Sequence, residues 1–146
     1  MSVPVHDVDD IIRTVLHTYR RIAVVGMSRN PEKAAHGVPA FLARQGYIIY
    51  PVNPHADTIL GRKAYAHVRD IPDPVDIVQI FRPPDQVLPI VEEAIERART
   101  RGDVRVIWLQ EGIRNEEARQ RAETAGLIVI QDRCMMQEWL RIHAGG

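Results

Sequence analysis

Short apolar runs recur along the chain and are separated by stretches with helical spacing. Runs of about four to eight residues, bounded by glycine or proline, are typical of buried strands. They occur at Ile22–Gly26, Tyr47–Val52, Val75–Phe81, Val104–Leu109 and Leu127–Gln131. Gly61–Tyr65 is a weaker candidate that we expect to form a short edge strand. The strands are too apolar to leave one face in water, which favours a parallel sheet covered on both sides.

The stretches between the strands carry helix start and stop signals. Helices are predicted over residues 1–20, His36–Gln45, Asp85–Arg101, Asn115–Gly126 and from Asp132 onward. Asp85, Asn115 and Asp132 are residue types that cap a helix N-terminus. Pro39 is expected in the first turn of its helix, where a missing N–H costs little. The pattern thus alternates strand and helix along the chain.

This alternation predicts an α/β fold with a doubly wound, Rossmann-like parallel sheet of strand order 3-2-1-4-5-6. We expect one domain over residues 1–146, with a leading helix at 1–20 and a core at 21–141. In this order the chain reverses direction between the first strand and the Val75–Phe81 strand. Ligands bind at such a switch point, beyond the carboxyl ends of the strands. The candidate site is therefore formed by the loops Gly26–Ala35, Asn53–Asp57 and Arg82–Asp85.

The loop after the first strand has the composition of a phosphate site. Gly26 has no Cβ and would let a ligand approach the backbone closely. The following helix presents unpaired N–H groups and a partial positive charge at its N-terminus, where phosphates bind. Ser28, Arg29 and Lys33 add a hydroxyl and two cations to the same loop. The sequence therefore indicates a nucleotide-like ligand.

Composition narrows the class of partner. The 146 residues carry 19 Lys+Arg and 19 Asp+Glu, so attraction to nucleic acid or to an anionic membrane is not indicated. The single Cys134 excludes an intrachain disulfide and a multi-cysteine metal site, and the scattered histidines form no metal-ligand pattern. No apolar run approaches a membrane span, and residues 1–10 lack the pattern of a signal peptide. These features predict a cytoplasmic protein.

The loop sequences argue against ordinary NAD binding. The dinucleotide fingerprint has three glycines and an acid about 20 residues on. Here the segment from Gly26 to Pro31 contains a single glycine, and the second strand ends in Asn53 without an acid. The missing acid alone would still allow NADP. No P-loop motif is present.

Four sequence blocks carry a resemblance to a known family. GMSRNPEKAAHGVPAFLARQGYIIYPVNP, DIVQIFRPP, VIWLQEGI and QDRCMM resemble the small single-domain CoA-binding proteins of bacteria and archaea. These are similar to the N-terminal CoA-binding domain of the succinyl-CoA synthetase α subunit, and the resemblance covers roughly Arg21–Leu140. It implies that three loops wrap the ADP part of CoA through Gly26, Met27, Ser28, Arg29, Asn53, Pro54, Phe81, Arg82 and Pro83. Lys33 and His36 match the basic and histidine positions of the family's first loop.

The resemblance implies binding of coenzyme A or an acyl-CoA, in a non-catalytic or regulatory role. The synthetases add a phosphohistidine domain and an ATP-grasp part, for which we expect no room here, so we do not expect an enzyme. Two alternatives stay open: an enzyme acting on an acyl-CoA thioester through Cys134 or His36, and an NAD(P)-responsive binding module. Cys134 is otherwise expected to be a small buried hydrophobe. Whether a protein partner or a second copy of the chain also binds is left open by the sequence.

Overall fold

The computed structural model describes residues 5–144, which form an α/β fold. The strands are β1 (Arg21–Val25), β2 (Ile48–Val52), β3 (Thr58–Ile59), β4 (Arg62–Lys63), β5 (Ile77–Ile80), β6 (Val106–Leu109) and β7 (Ile128–Ile130). The helices are α1 (Val5–Thr18), α2 (Ala34–Arg44), α3 (Val87–Arg101), α4 (Glu116–Thr124) and α5 (Met135–Ala144). Five strands form a parallel sheet in the order β2-β1-β5-β6-β7.

Helices cover both faces of the sheet, as the apolar strands require. One buried cluster joins the sheet to α1, α2 and α5, and includes Leu16, Leu42 and Met135. The other joins it to α3 and α4, and includes Val91 and Ala122. The doubly wound class is therefore confirmed. Because β1 lies between β2 and β5, the expected reversal of strand order occurs at the β1–β5 boundary.

The prediction that Gly61–Tyr65 forms the edge strand of the main sheet is wrong. The main sheet therefore has five strands, and the first strand of the predicted order 3-2-1-4-5-6 is missing. β4 instead pairs antiparallel with β3 in a separate two-stranded hairpin. Leu60 and Gly61 both have positive φ, 57° and 69°, which is the backbone of a tight hairpin turn. Only Tyr65 reaches the main sheet, through a single parallel bridge to Val52.

The start of α2 also differs from the prediction. The helix begins at Ala34 rather than His36, so Pro39 lies in its interior instead of its first turn. Proline has no N–H to donate to the carbonyl four residues earlier. That carbonyl, on Ala35, accepts a hydrogen bond from the Ser28 N–H at 3.1 Å. The interior proline thus leaves an acceptor that holds the loop after β1.

Of the three predicted helix caps, one is confirmed. The Asn115 side chain accepts a hydrogen bond from the Ala118 N–H at 2.9 Å, at the start of α4. Asp85 lies inside a short 3-10 helix, Pro84–Gln86, that precedes α3. Asp132 accepts a hydrogen bond from the Gly112 N–H at 2.6 Å, and α5 begins only at Met135. Within residues 5–144, no helix combines the length and the apolar character needed to cross a membrane.

Candidate functional site

A cleft of about 450 Å³ opens at the carboxyl ends of β1 and β2, beside the loop that follows β5. Its position is the switch point of the sheet, since β1 has β2 on one side and β5 on the other. The lining residues are Val25, Gly26, Met27, Ser28, Lys33, Val52, Asn53, Pro54, His55, Ala66, Arg82 and Ile90. The cleft therefore combines an apolar part with hydroxyl, amide, imidazole and cationic groups.

Most residues that the sequence singled out meet at this cleft. Those that line it are Gly26, Met27, Ser28, Lys33, Asn53, Pro54 and Arg82. Arg29, Phe81 and Pro83 lie on the same loops and His36 lies in the first turn of α2, all outside the lining. The assignment of all these residues to a ligand site, including those in the lining, stays a prediction.

Five lining residues were not singled out. Val25 and Val52 end β1 and β2, so the strand boundaries were a usable signal for both. His55 follows Asn53 within a loop already assigned to the site. Ala66 and Ile90 reach the cleft through the segment after the β3–β4 hairpin and through α3. No local sequence pattern indicates that tertiary approach.

Gly26 is required by the approach of a neighbouring loop. Its φ is +83°, a conformation that side chains rarely adopt. A Cβ at this position would lie 2.5 Å from the Phe81 carbonyl oxygen and 2.9 Å from Cδ of Arg82. The absence of a side chain lets the loops after β1 and β5 touch, next to the cleft that Gly26 lines.

Met27 and Asn53 tie the first two loops together. Met27 is fully buried and packs in the core cluster of α1, α2 and α5. Its carbonyl accepts a hydrogen bond from Nδ2 of Asn53 at 3.0 Å. Oδ1 of Asn53 accepts from the His55 N–H at 2.8 Å, and the Asn53 N–H donates to the Tyr65 carbonyl at 2.8 Å. The Asn53 amide thus fixes the loop and has both of its ends engaged.

The loop between β1 and α2 is held by its own hydrogen bonds. The Asn30 N–H donates to Oγ of Ser28 at 3.0 Å. Nδ1 of His36 lies 2.8 Å from the Ser28 carbonyl oxygen, an acceptor, so this ring nitrogen carries the proton. His36 therefore acts as a local brace for the loop. Within the described part of the chain, the N–H groups of Ala34 and Ala35 at the start of α2 make no hydrogen bond.

The charged side chains in the lining are all potential cations. Lys33 stands at the N-cap of α2, and Arg82 comes from the loop after β5. Nε of Arg82 donates to Oε1 of Gln86 at 3.1 Å, and Nη2 donates to the same oxygen. No carboxylate is among the described residues that line the cleft. The cleft is thus suited to an anionic ligand.

The other candidate groups lie elsewhere. Cys134 immediately precedes α5, is half-buried, and packs against the core cluster of α1, α2 and α5. It does not line the cleft. Within residues 5–144, no group of three or more His, Cys, Asp or Glu side chains could hold a metal ion.

A second groove, of about 500 Å³, lies between α3 and α4. It is lined by Glu92, Ile95, Glu96, Gln120, Arg121 and Thr124. Two carboxylates face a single cation there, so the charge of this groove does not favour phosphates. The cleft at the switch point is the better candidate for a nucleotide.

Comparison with known proteins identifies the family to which the chain is similar. A family model described as a CoA binding domain matches residues 20–139. The chain is 40% identical over 124 residues to the uncharacterised protein YneT of Bacillus subtilis, covering 85% of this chain and 88% of that protein. It is also 42% identical over 65 residues to the α subunit of ADP-forming acetate–CoA ligase II of Pyrococcus furiosus, but covers 14% of that subunit.

The fold also matches solved structures. A hypothetical protein from Pyrococcus horikoshii superposes with a TM-score of 0.88 at 40% identity, over 98% of both chains. Since the family match spans every strand of the sheet and all three loops of the cleft, the resemblance seen in the sequence blocks is confirmed. The chain belongs to the family of CoA-binding domains.

Proposed function

We propose that the protein binds coenzyme A, free or as an acyl-CoA, in the cleft at the switch point and does not itself catalyse a reaction. The observation that carries the proposal is the charge of this cleft, in a chain of the CoA-binding family. Lys33 and Arg82 line it, two free N–H groups start α2 beside it, and its described lining has no carboxylate. CoA is a polyanion, with a diphosphate and a 3′-phosphate.

The diphosphate would sit at the N-terminus of α2. The N–H groups of Ala34 and Ala35 would donate to it, and the helix dipole would add a favourable field. Ser28 would contribute its hydroxyl, because Oγ accepts from Asn30 but keeps its own proton free to donate. The Ser28 N–H is engaged by the Ala35 carbonyl, so it would not take part.

The cations would neutralise the remaining phosphate charge. Lys33 lines the cleft and Arg82 would turn from Gln86 toward the ligand. Arg29 would reach the ligand from the edge of the same loop. Phe81 and Pro83 would act through the backbone that they shape around Gly26, and His36 through the loop that it braces.

The enzymatic alternative has less support. A catalytic group must reach the reacting atoms, but Cys134 packs against the core outside the cleft lining. His36 has one ring nitrogen engaged by the Ser28 carbonyl. Turnover of an acyl-CoA by the purified protein, lost in Cys134→Ser or in His36→Gln, would overturn the non-catalytic role.

The NAD(P) alternative depends on whether the ligand carries a phosphate on its adenosine ribose. NADP carries a ribose phosphate, whereas NAD carries none and needs an acceptor for its ribose hydroxyls. No described lining residue is an acid, so the cleft offers NAD no carboxylate for its ribose hydroxyls. CoA should therefore bind at least tenfold more tightly than NAD, a gap of about 1.4 kcal/mol.

Calorimetric titration with CoA, NADP and NAD at two salt concentrations tests the proposal. CoA binding should weaken more with salt than NAD binding, because exposed charge pairs are screened over about 8–10 Å. Native mass spectrometry of the purified protein would weigh any nucleotide that co-purifies. Equal affinities for CoA and NAD, or a preference for NADP, would overturn the assignment of CoA.

A further inference from the structure

His55 lines the cleft but has no role in the phosphate contacts proposed above for the α2 N-terminus, Lys33 and Arg82. Its backbone N–H donates to Oδ1 of Asn53 at 2.8 Å, and Asn53 is in turn bonded to Met27 and Tyr65. Pro54 restricts the same turn. The backbone of His55 is therefore anchored to two neighbouring loops, while its side chain is exposed and lines the cleft.

His55 lies just after the carboxyl end of β2, a position that contacts the ribose in doubly wound nucleotide-binding sheets. The ribose of a bound adenine nucleotide lies at the carboxyl end of the second strand, where an acid takes free hydroxyls and a cation takes a ribose phosphate. β2 ends at Val52; the Asn53 amide that follows spends one donor on Met27 and one lone pair on His55, and Pro54 has no polar side-chain group. His55 is the first residue after β2 whose side chain can bring a positive charge to a ribose phosphate.

We propose that His55 recognises the ribose 3′-phosphate of CoA and makes CoA binding depend on pH. The inference rests on the proposed function. Histidine changes charge between about pH 5 and 8, and a neighbouring phosphate dianion favours the protonated ring. Binding then takes up a proton, so affinity falls as pH rises through this range.

The surrounding charges are consistent with this role. Lys33, from the start of α2, and Arg82, from the loop after β5, line the cleft with His55. Asp57, two residues on, is exposed and outside the lining. His36 is braced against Ser28 on the first loop. A phosphate is thus the group that would favour protonated His55 inside the cleft.

The test compares CoA with 3′-dephospho-CoA, for the wild-type protein and His55→Gln, by calorimetry at pH 6.0 and pH 8.0. At pH 6.0 the variant should bind CoA about fivefold more weakly than wild type, as expected for an exposed charged contact. It should bind 3′-dephospho-CoA equally well. The wild type should also lose more CoA affinity between the two pH values than the variant, and comparing them cancels the titration of the ligand phosphate itself.

His17→Gln is the matched control, because His17 lies on α1, outside the cleft lining. It should reproduce the wild-type pH profile. If His55→Gln binds CoA like wild type at pH 6.0, or loses CoA and 3′-dephospho-CoA affinity equally, the role of His55 is overturned while CoA binding stands. If the wild-type protein binds neither ligand, the proposed function itself fails. His55→Asn provides a second variant, and circular dichroism checks that each variant is folded.

Discussion

Gly26 and Phe81 touch backbone to backbone where the loops after β1 and β5 meet. A Cβ built on Gly26 would lie 2.5 Å from the Phe81 carbonyl oxygen and 3.1 Å from the carbonyl carbon. The contact is between main-chain atoms, so rotation of a side chain cannot relieve it. The same glycine has φ +83° and lines the cleft. One position thus sets the spacing of the two loops and also lines the candidate site.

Gly26→Ala should lower the free energy of unfolding by roughly 2–4 kcal/mol, because backbone strain and overpacking act together. Gly37→Ala is the matched control, since no atom outside its helix backbone and chain neighbours lies within 4 Å of a Cβ there. In the interior of α2, that change should stabilise the protein by about 0.5–1 kcal/mol. Urea denaturation measures both values. Similar effects of the two variants would contradict the close contact at Gly26.

The fold was predictable because its main signals are local. Five apolar runs became the five parallel strands, and the leading helix formed as α1. The Gly61–Tyr65 segment failed because a positive φ at Leu60, a residue that rarely adopts it, creates a hairpin that no local pattern announces. The cap predicted at Asp85 failed because this residue lies inside the 3-10 helix Pro84–Gln86, whereas the cap predicted at Asp132 failed because of a tertiary contact. Asp132 bonds to Gly112, which is remote in sequence and near only after folding.

The site was predictable as a set of loops but not as a set of contacts. Strand ends and the switch-point rule indicate the three loops, and residues of all three line the cleft. Which side chains are free is decided by tertiary hydrogen bonds. Asn53 is engaged by Met27 and His55, whereas the His55 side chain stays exposed. A sequence pattern cannot distinguish an engaged amide from a free one.

Arg97 and Asp103 form a buried ion pair that organises the segment before β5. Nη2 of Arg97 lies 2.9 Å from Oδ2 of Asp103, and the Arg97 side chain is 1% exposed. Arg97 also donates to the carbonyls of Val68 and Ile71, each at 2.8 Å, and to that of Asp73 at 2.7 Å, so its remaining donors are satisfied within the fold. Arg97 thereby ties α3 to the segment of residues 68–71 that precedes β5.

Asp103→Ala should lower the free energy of unfolding by roughly 2–4 kcal/mol, because it leaves the buried guanidinium without its counter-charge. The Val75 N–H, which donates to Oδ2 of Asp103 at 3.0 Å, also loses its acceptor. The control is Glu96→Ala, which breaks the exposed pair with Arg99. That control should leave the urea midpoint unchanged within error. An equally small effect at Asp103 would show that the buried pair is dispensable.

Alkaline pH should destabilise the protein through Tyr47. Burial raises the pKa of the Tyr47 hydroxyl, opposed by the nearby Arg20 guanidinium. The hydroxyl donates to the Leu16 carbonyl at 2.6 Å, a bond that needs the proton. Its contribution is therefore fully present below about pH 10, the pKa of an unfolded tyrosine, and is lost as pH rises through the higher folded value.

Tyr47→Phe tests this prediction because it removes both the hydrogen bond to Leu16 and the group that ionises. At pH 8 the variant should be less stable than wild type by about 1 kcal/mol, the net value of one hydrogen bond. The difference in stability should narrow above about pH 10. There the Tyr47 hydroxyl of the unfolded wild type ionises, which favours unfolding, whereas the variant has no hydroxyl to ionise. Denaturant unfolding at pH 8, 10 and 11 measures both curves. Parallel curves across this range would exclude Tyr47 as a source of alkaline instability.

Arg82 should supply binding energy only after it leaves Gln86. In the free protein its guanidinium donates twice to Oε1 of Gln86, and both side chains are exposed. Because a bound CoA phosphate would replace this neutral acceptor with a charged one, Arg82→Ala should weaken CoA binding by roughly 1.5–3 kcal/mol.

Gln86→Ala releases the Arg82 side chain and should leave CoA affinity equal or slightly tighter. Arg121→Ala, in the groove between α3 and α4, controls for the loss of one positive charge and should not change the dissociation constant. Calorimetric titration of all three variants at matched salt measures the effects. An unchanged affinity in Arg82→Ala would mean that this side chain remains a solvated surface charge in the complex.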